Sequence, residues 1–387
     1  MDPRFRVLIL SVSAGTGHVR AAEALEKVCR ARQEIADVVN VDALRFTNKV
    51  FRDCYSKLYI DLVRNAPTFL GWWYQKSDEP WKTDRMRLMF DRMNTGPLVR
   101  MVRKVQPDMT ICTHFLPAEI ISHLISRGDI EARLSIVVTD LDLHAMWLSR
   151  LFHHYFVALD ETKEHLKLLG LPEDRVTVSG IPVDPVFAEK KDRVALAAKL
   201  GLDPAKPMVL LSAGAFGVGP AAEAVQVLKH LKTPAQVVVI CGRNDELLAE
   251  ARRQAVEVPA HLQFHLLGFT DIMDEWMTVA DVLIGKPGGL TTAEALCKGL
   301  PMVILSPIPG QEERNSDHLL EEGVAIRCND IITMGYKIDR LLQTPGRLAS
   351  MRQAALGMSR PFAAETVVTT LLEQFRRLPH KVEMVKA

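Results

Sequence analysis

The sequence predicts an α/β chain built from two doubly wound parallel-sheet domains. Short apolar, β-branched-rich runs alternate with segments of helical spacing along nearly the whole chain, the pattern of strands buried on both faces with helices between them. A glycine-containing loop that opens a helix follows the first run of each half, at Ser13–His18 and again at Ala213–Pro220. A charged stretch with prolines near both ends, Asp184–Pro207, separates the two series. We therefore place an N-terminal domain at 1–190, a C-terminal domain at 191–360 and a helical segment at 361–387.

In chain order, the first half offers strands at Val7–Val12, Asp37–Val41, Asp108–Cys112, Ser135–Val138, Tyr155–Ala158 and Arg175–Val178. A helix over 19–32 follows the first Gly loop, and His18 stands at its N-terminus. The helix dipole there favours the neutral imidazole, which can accept a proton. His114, Asp140 and His144 each follow a strand. In open α/β sheets ligands lie beyond the carboxyl ends of strands, so these residues are expected to line one cleft. The second half repeats the pattern with strands at Met208–Ser212, Gln236–Ile240, His261–Leu267, Asp281–Ile284, Met302–Leu305 and Ala325–Cys328. Pro345–Lys381 reads as helical, with a break at Arg360-Pro361.

Within the second half, residues 285–315 carry the strongest local signal. Gly285, Gly288 and Gly289 form a turn, and a helix follows over 290–298, with Thr291 and Thr292 as helix-starting hydroxyls and Gly299 as its stop. Orphan N–H groups and the helix dipole make such a start an anion site. Glu294, a turn into the helix, suits hydroxyl groups of a sugar. A loop over 307–315 brings Gln311, Glu312 and Asn315 to the same strand end.

At 387 residues with 48% apolar side chains, the chain can bury two ordinary cores. Its net charge of +1 supplies no global field for nucleic acid, which is not an expected partner. The six cysteines (29, 54, 112, 241, 297, 328) show no metal-ligand spacing and read as reduced thiols in a cytoplasmic protein. No signal peptide and no membrane-spanning run is visible. Residues 45–104 differ from the rest: 13 Lys or Arg stand against six acids, and Trp72, Trp73 and Trp81 lie among them. Aromatic rings amid basic residues suit an anionic lipid surface; a helical subdomain with its aromatics in the core is the alternative.

Neither Gly loop completes a dinucleotide fingerprint, and neither is followed by a Walker A lysine. Taken together, SerAlaGlyThrGlyHis (13–18), ThrAspLeuAspLeuHisAlaMetTrp (139–147) and GlyLysProGlyGlyLeuThrThrAlaGluAla (285–295) through GlyGlnGluGluArgAsn (310–315) resemble the monogalactosyldiacylglycerol synthase and processive diacylglycerol glucosyltransferase family. That family is in turn similar to the lipid II N-acetylglucosaminyltransferase MurG. The resemblance spans nearly the whole chain and is most specific in the C-terminal motif.

The resemblance implies a GT-B fold, two Rossmann-like domains facing an interdomain cleft. It implies an inverting transfer of glucose or galactose from a UDP-sugar to diacylglycerol, with no metal site and no cofactor beyond the donor itself. It places the acceptor on the N-terminal domain and the UDP-hexose on the C-terminal one. Glu294 would hold the ribose. Gly288, Gly289, Leu290 and Thr291 would meet the phosphates or sugar, and Gln311, Glu312 and Asn315 would read the hexose. Phe269 would pack near uracil, and Ser212–Gly217, with Gly214, Phe216 and Gly217, would approach the pyrophosphate. From the chemistry of the displacement rather than the resemblance, the helix dipole after Gly288-Gly289, aided by Arg243, would stabilise it as it leaves. His18 is the first choice of general base and Asp140 the second. The enzyme is expected to sit peripherally on the inner face of the cell membrane. The first Gly loop, with Ser13, Ala14 and Thr16, departs from the triple-glycine version of plant members. Rival expectations are a MurG-like transfer of N-acetylglucosamine to a polyprenyl-linked acceptor and a nonenzymatic UDP-sugar sensor.

Overall fold

The computed structural model describes residues 5–13, 15–46, 71, 72, 74, 76–79, 96–149, 151–215, 217 and 220–375. They fall into two compact units. One holds the chain up to Pro185, Pro309–Gln311 and the segment from Arg360 onward; the other holds Val186–Ile308 and Glu312–Ser359.

In the first unit, strands β1 (Phe5–Ser11), β2 (Ile35–Asp42), β3 (Met109–Cys112), β4 (Leu134–Val137), β5 (His154–Val157) and β6 (Val176–Val178) form one sheet in the order β2-β1-β3-β4-β5-β6. Every pairing is parallel. Helices α1 (Thr16–Arg30), α2 (Gly96–Val105), α3 (Phe115–Ser126) and α4 (Asp160–Leu168) fall between the strands. The sheet is buried on both faces because its side chains alternate between two cores: Leu8 and Leu10 join one, Val7 and Ile9 the other. Chain direction across the sheet reverses at β1, which pairs with both β2 and β3. The carboxyl ends of β1 and β3 therefore flank the position where ligands of such sheets bind.

The second unit repeats the plan. Helix α5 (Arg193–Lys199) precedes β7 (Met208–Ser212), followed by α6 (Ala221–Leu228), β8 (Ala235–Ile240), α7 (Asp245–Gln254), β9 (Leu262–Leu267) and α8 (Met273–Val279). Then come β10 (Val282–Gly285), α9 (Gly289–Cys297), β11 (Met302–Leu305), α10 (Gln311–Glu321), β12 (Ala325–Cys328), α11 (Met334–Gln343) and α12 (Arg347–Met358). The all-parallel sheet runs β12-β11-β10-β7-β8-β9, so its reversal lies between β7 and β10. Two local expectations change. Residues 311–315 are not loop but the first turns of α10, which turns their side chains by helical geometry rather than along a strand exit. The N-cap of α9 is Gly288, with no side-chain cap, and Thr292 is fully buried in the helix rather than starting it.

The last helix, α13 (Ala363–Phe375), follows the break expected at Arg360-Pro361 and belongs to the first unit. Its Ala364, Val367, Val368, Leu371 and Leu372 pack with Ala22, Leu25, Val28 and Cys29 of α1. Burying each of the larger aliphatic side chains contributes about 1.5–3 kcal/mol. The approach to α13 passes close to Gly180 (φ +84°), where an added Cβ would stand 2.3 Å from the Cβ of Arg360. Among the described residues no helix is long and apolar enough to cross a membrane.

Candidate active site

His18, the third residue of α1, sits at the reversal point of the first sheet. Its Nδ1 lies 3.0 Å from the carbonyl oxygen of Thr113, just past β3, and 2.7 Å from Oγ1 of Thr139, just past β4. A carbonyl oxygen only accepts, so Nδ1 carries the proton and the lone pair of the neutral ring is on Nε2. The Thr113 hydroxyl in turn donates to the carbonyl of His18 at 2.9 Å, locking the start of α1 to the end of β3. Burial lowers the imidazole pKa to about 4, the bond to Thr113 opposing it. The shift favours the neutral form, as expected, but its cause is desolvation rather than the helix dipole.

The other strand-end histidines are already engaged. His114 accepts the Leu116 N–H on its Nδ1 at 3.0 Å and caps α3. His144 accepts the Met146 N–H at 3.1 Å, and its Nε2 donates to the Tyr74 carbonyl at 2.9 Å. Both are capping residues, and His114 also forms part of an aromatic cluster. Its ring meets that of His18 edge-on at 4.5 Å, and Phe115 and Trp147 stand 4.2 and 6.3 Å from it. Asp140 follows Thr139 and is 5% exposed.

In the second unit the strand-end loops converge by close backbone packing. Gly242 has φ +64°, and a Cβ there would meet the Gly214 and Ala215 carbonyl oxygens at 2.3 and 2.6 Å. Gly217 has φ +59° and is equally crowded by the Cys241 carbonyl. These contacts bind the loop after β7 to the one after β8, reinforced by Arg243 N–H to Ala215 O at 2.9 Å. The Arg243 guanidinium lies 4.4 Å from the ring centre of Phe269, which follows β9 and is 46% exposed. Phe216 lies outside the described residues.

Across the reversal point, the first bond within α9 runs from Thr292 N–H to Gly288 O. The N–H groups of Gly289, Leu290 and Thr291 therefore have no partner inside the helix, and no side chain caps them. Glu294 is buried in the same helix, 2% exposed. Helix α10 braces this start. Asn315, 1% exposed, donates from Nδ2 to the carbonyl of Pro287 at 3.0 Å. Glu312 accepts the Ile308 N–H at 2.7 Å and comes near Gly288, at 3.6 Å from where a Cβ would stand. Burial raises the Glu312 pKa, against the pull of Ile308 N–H and Lys286. Lys286 is lowered by burial and raised by Glu312. Gln311 is the first residue of α10.

Three participants escaped sequence reasoning. Lys286 stood inside the glycine motif as a visible signal. Thr113 and Thr139 carried none, because only the sheet order brings them to His18.

Known proteins resemble this chain over both units. The monogalactosyldiacylglycerol (MGDG) synthase family model matches residues 18–183, and the model for glycosyl transferases group 1 matches residues 195–358. A processive diacylglycerol beta-glucosyltransferase of Staphylococcus epidermidis is 30% identical over 321 residues, covering 82% of this chain and 80% of that one. The chain belongs to the processive diacylglycerol beta-glucosyltransferase family. Another member, from Staphylococcus saprophyticus, is 28% identical over 381 residues, 98% of this chain and 95% of its own. The crystal structure of Acinetobacter baumannii MurG shares the fold, with a TM-score of 0.61 at 18% identity over 96% of this chain and 100% of its own. The α/β, GT-B expectation holds, and family membership rather than the MurG likeness carries the chemistry.

Proposed function

We propose that the protein transfers glucose from UDP-glucose to diacylglycerol with inversion, His18 serving as general base. The observation that carries the base assignment is the neutral His18 ring, its Nδ1–H fixed by Thr113 and Thr139 so that Nε2 can accept a proton. As the acceptor oxygen bonds to the anomeric carbon, its proton passes to Nε2. The bond from that carbon to the β-phosphate oxygen breaks, and its electron pair leaves with UDP. The uncapped start of α9 offers N–H dipoles to the departing pyrophosphate. Lys286 adds a cation beside it. The aromatic cluster of His114, Phe115 and Trp147 beside His18 gives that side of the base an apolar character that suits an apolar acceptor.

Glucose is favoured because the curated relatives are named glucosyltransferases. Within this reading Glu294 holds the ribose, Phe269 and Arg243 meet the base side of the nucleotide, and Gln311 and Glu312 read the hexose. No cofactor beyond the donor and no nucleic acid takes part.

Peripheral attachment to the inner face of the cell membrane falls to the basic, aromatic stretch at 45–104. Most of it, Trp73 and Trp81 included, lies outside the described residues. In its described part Trp72 is 54% exposed, and α2 buries Leu98 and Val102 while exposing Arg100, Arg103 and Lys104.

The test is purified protein with UDP-glucose or UDP-galactose and diacylglycerol liposomes, with products read by mass. Glucosyldiacylglycerol is expected. No glycolipid from either donor would overturn the reading.

A further inference from the structure

We propose that Thr139 is a positioning residue for the base: its hydroxyl oxygen is the nearer acceptor of the His18 Nδ1–H and keeps Nε2 as the proton-accepting atom. This rests on His18 acting as the base. The geometry is a closed triangle drawn from three separate strand ends. Nδ1 reaches Thr139 Oγ1 at 2.7 Å and Thr113 O at 3.0 Å, and the Thr139 hydroxyl is itself 3.4 Å from the same Thr113 oxygen. With its proton directed to that carbonyl, Oγ1 presents a lone pair to Nδ1–H. Thr139 is 4% exposed and Thr113 fully buried, so both oxygens are shielded from bulk water.

The Thr113 carbonyl and the Thr139 hydroxyl at Nδ1 are both uncharged. A carboxylate there would raise the basicity of the ring and attract its protonated form. A carbonyl and a hydroxyl instead orient it, accept a stronger bond from Nδ1–H once Nε2 has taken the acceptor's proton, and leave the imidazolium acidic enough to return that proton to water. Removing Oγ1 leaves the Thr113 carbonyl as the one remaining acceptor, at 3.0 Å, so the ring loses the shorter of its two bonds and exchanges tautomers only when it turns away from that carbonyl.

The experiment pairs Thr139→Val, which keeps the shape and removes the oxygen, with Thr139→Ser, which restores it. Ring nitrogen NMR of His18, assigned by difference against His18→Gln, reports the tautomer without any turnover. The wild type and Thr139→Ser are expected to show Nδ1 protonated, and Thr139→Val a mixed or reversed pattern. In turnover, Thr139→Val should lose roughly tenfold in kcat with the donor KM unchanged, and Thr139→Ser should recover it. If Thr139→Val does not fold, the wild-type spectrum still decides: Nε2 protonated overturns the proposal. So does a Thr139→Val enzyme with wild-type kcat. A fully active His18→Ala enzyme would instead remove the base assignment, while the NMR result would still stand on the hydrogen bond.

Discussion

Asn315 holds Pro287: its side-chain amide donates to that carbonyl at 3.0 Å from a position 1% exposed. The residue after Pro287 is the N-cap of α9, so the amide positions the N–H groups that follow. Asn315→Ala removes one buried donor and leaves a carbonyl unsatisfied, costing about 1–3 kcal/mol. UDP affinity should fall by about tenfold, read by calorimetry. Uridine, which lacks the phosphates, should bind as before. The preference for UDP-glucose over UDP-galactose should not move. A change in that preference with UDP affinity intact would return Asn315 to the hexose-reading role that the family resemblance gives it.

His18→Ala should reduce turnover by about 10²–10⁴-fold, the range of general-base catalysis, and leave UDP binding unchanged. The neutral ring is the active form and its pKa is lowered to about 4. Activity should therefore be lost only as pH falls through about 4, with no inflection near the ordinary histidine value of about 6.5. Initial rates against pH test this. An inflection near the ordinary value, absent in a rate-limiting step other than proton transfer, would contradict the buried neutral base.

Much of the architecture was legible because it is repetitive. Strands buried on both faces announce themselves as apolar runs, and Val7–Ile9 or Val237–Val239 need no partner to be recognised. His18 was legible because a strand, a Gly loop and a helix are contiguous in sequence. Thr113 and Thr139 were not, since they lie 95 and 121 residues away and a loop hydroxyl has no periodicity. The roles of His114 and His144 were equally hidden. A histidine after a strand reads the same whether its nitrogen faces a substrate or caps the next turn. Residues 311–315 were misread as loop because Pro307, Pro309 and Gly310 suggest turns, while the helix begins at the very next residue.

Gly242 tests whether the loops after β7 and β8 must touch. Its φ of +64° already disfavours a side chain, and an added Cβ would strike two backbone oxygens, at 2.3 and 2.6 Å. Backbone cannot rotate away as a side-chain tip can. Gly242→Ala should cost about 2–4 kcal/mol. It should also displace Arg243, whose N–H bonds Ala215 and whose guanidinium covers Phe269. The expected result is a lower unfolding midpoint together with weaker UDP binding. Gly201→Ala is the control: with φ +73° but open space around it, it should carry the backbone strain without the effect on UDP.

The first unit should lose stability in mild acid through His153 and His154. His153 is 2% and His154 1% exposed. His154 is tied at Nε2 to Thr177 Oγ1, 2.8 Å, and at Nδ1 to Gln374 of α13, 2.9 Å. Burial first, then the charges of Arg133 and Arg175, lowers His153 to about 4; burial, His153 and Arg175 lower His154 to about 3. The unfolded chain takes up these protons near pH 6.5, roughly the free imidazole value, and the folded one only at the lower values. Between those limits the unfolded state binds more protons, so stability is fully present above about 6.5 and declines as pH falls. Each histidine contributes up to about 1.4 kcal/mol per pH unit. Urea midpoints measured at neutral pH and near pH 5 should differ accordingly, and His153→Leu should shallow the decline by one proton's worth. Because Gln374 meets His154 and the Arg133 guanidinium lies 3.7 Å from the Phe375 ring centre, the end of α13 should lose hydrogen-exchange protection first. Equal slopes for wild type and variant would show that His153 is not protonated on unfolding in this range.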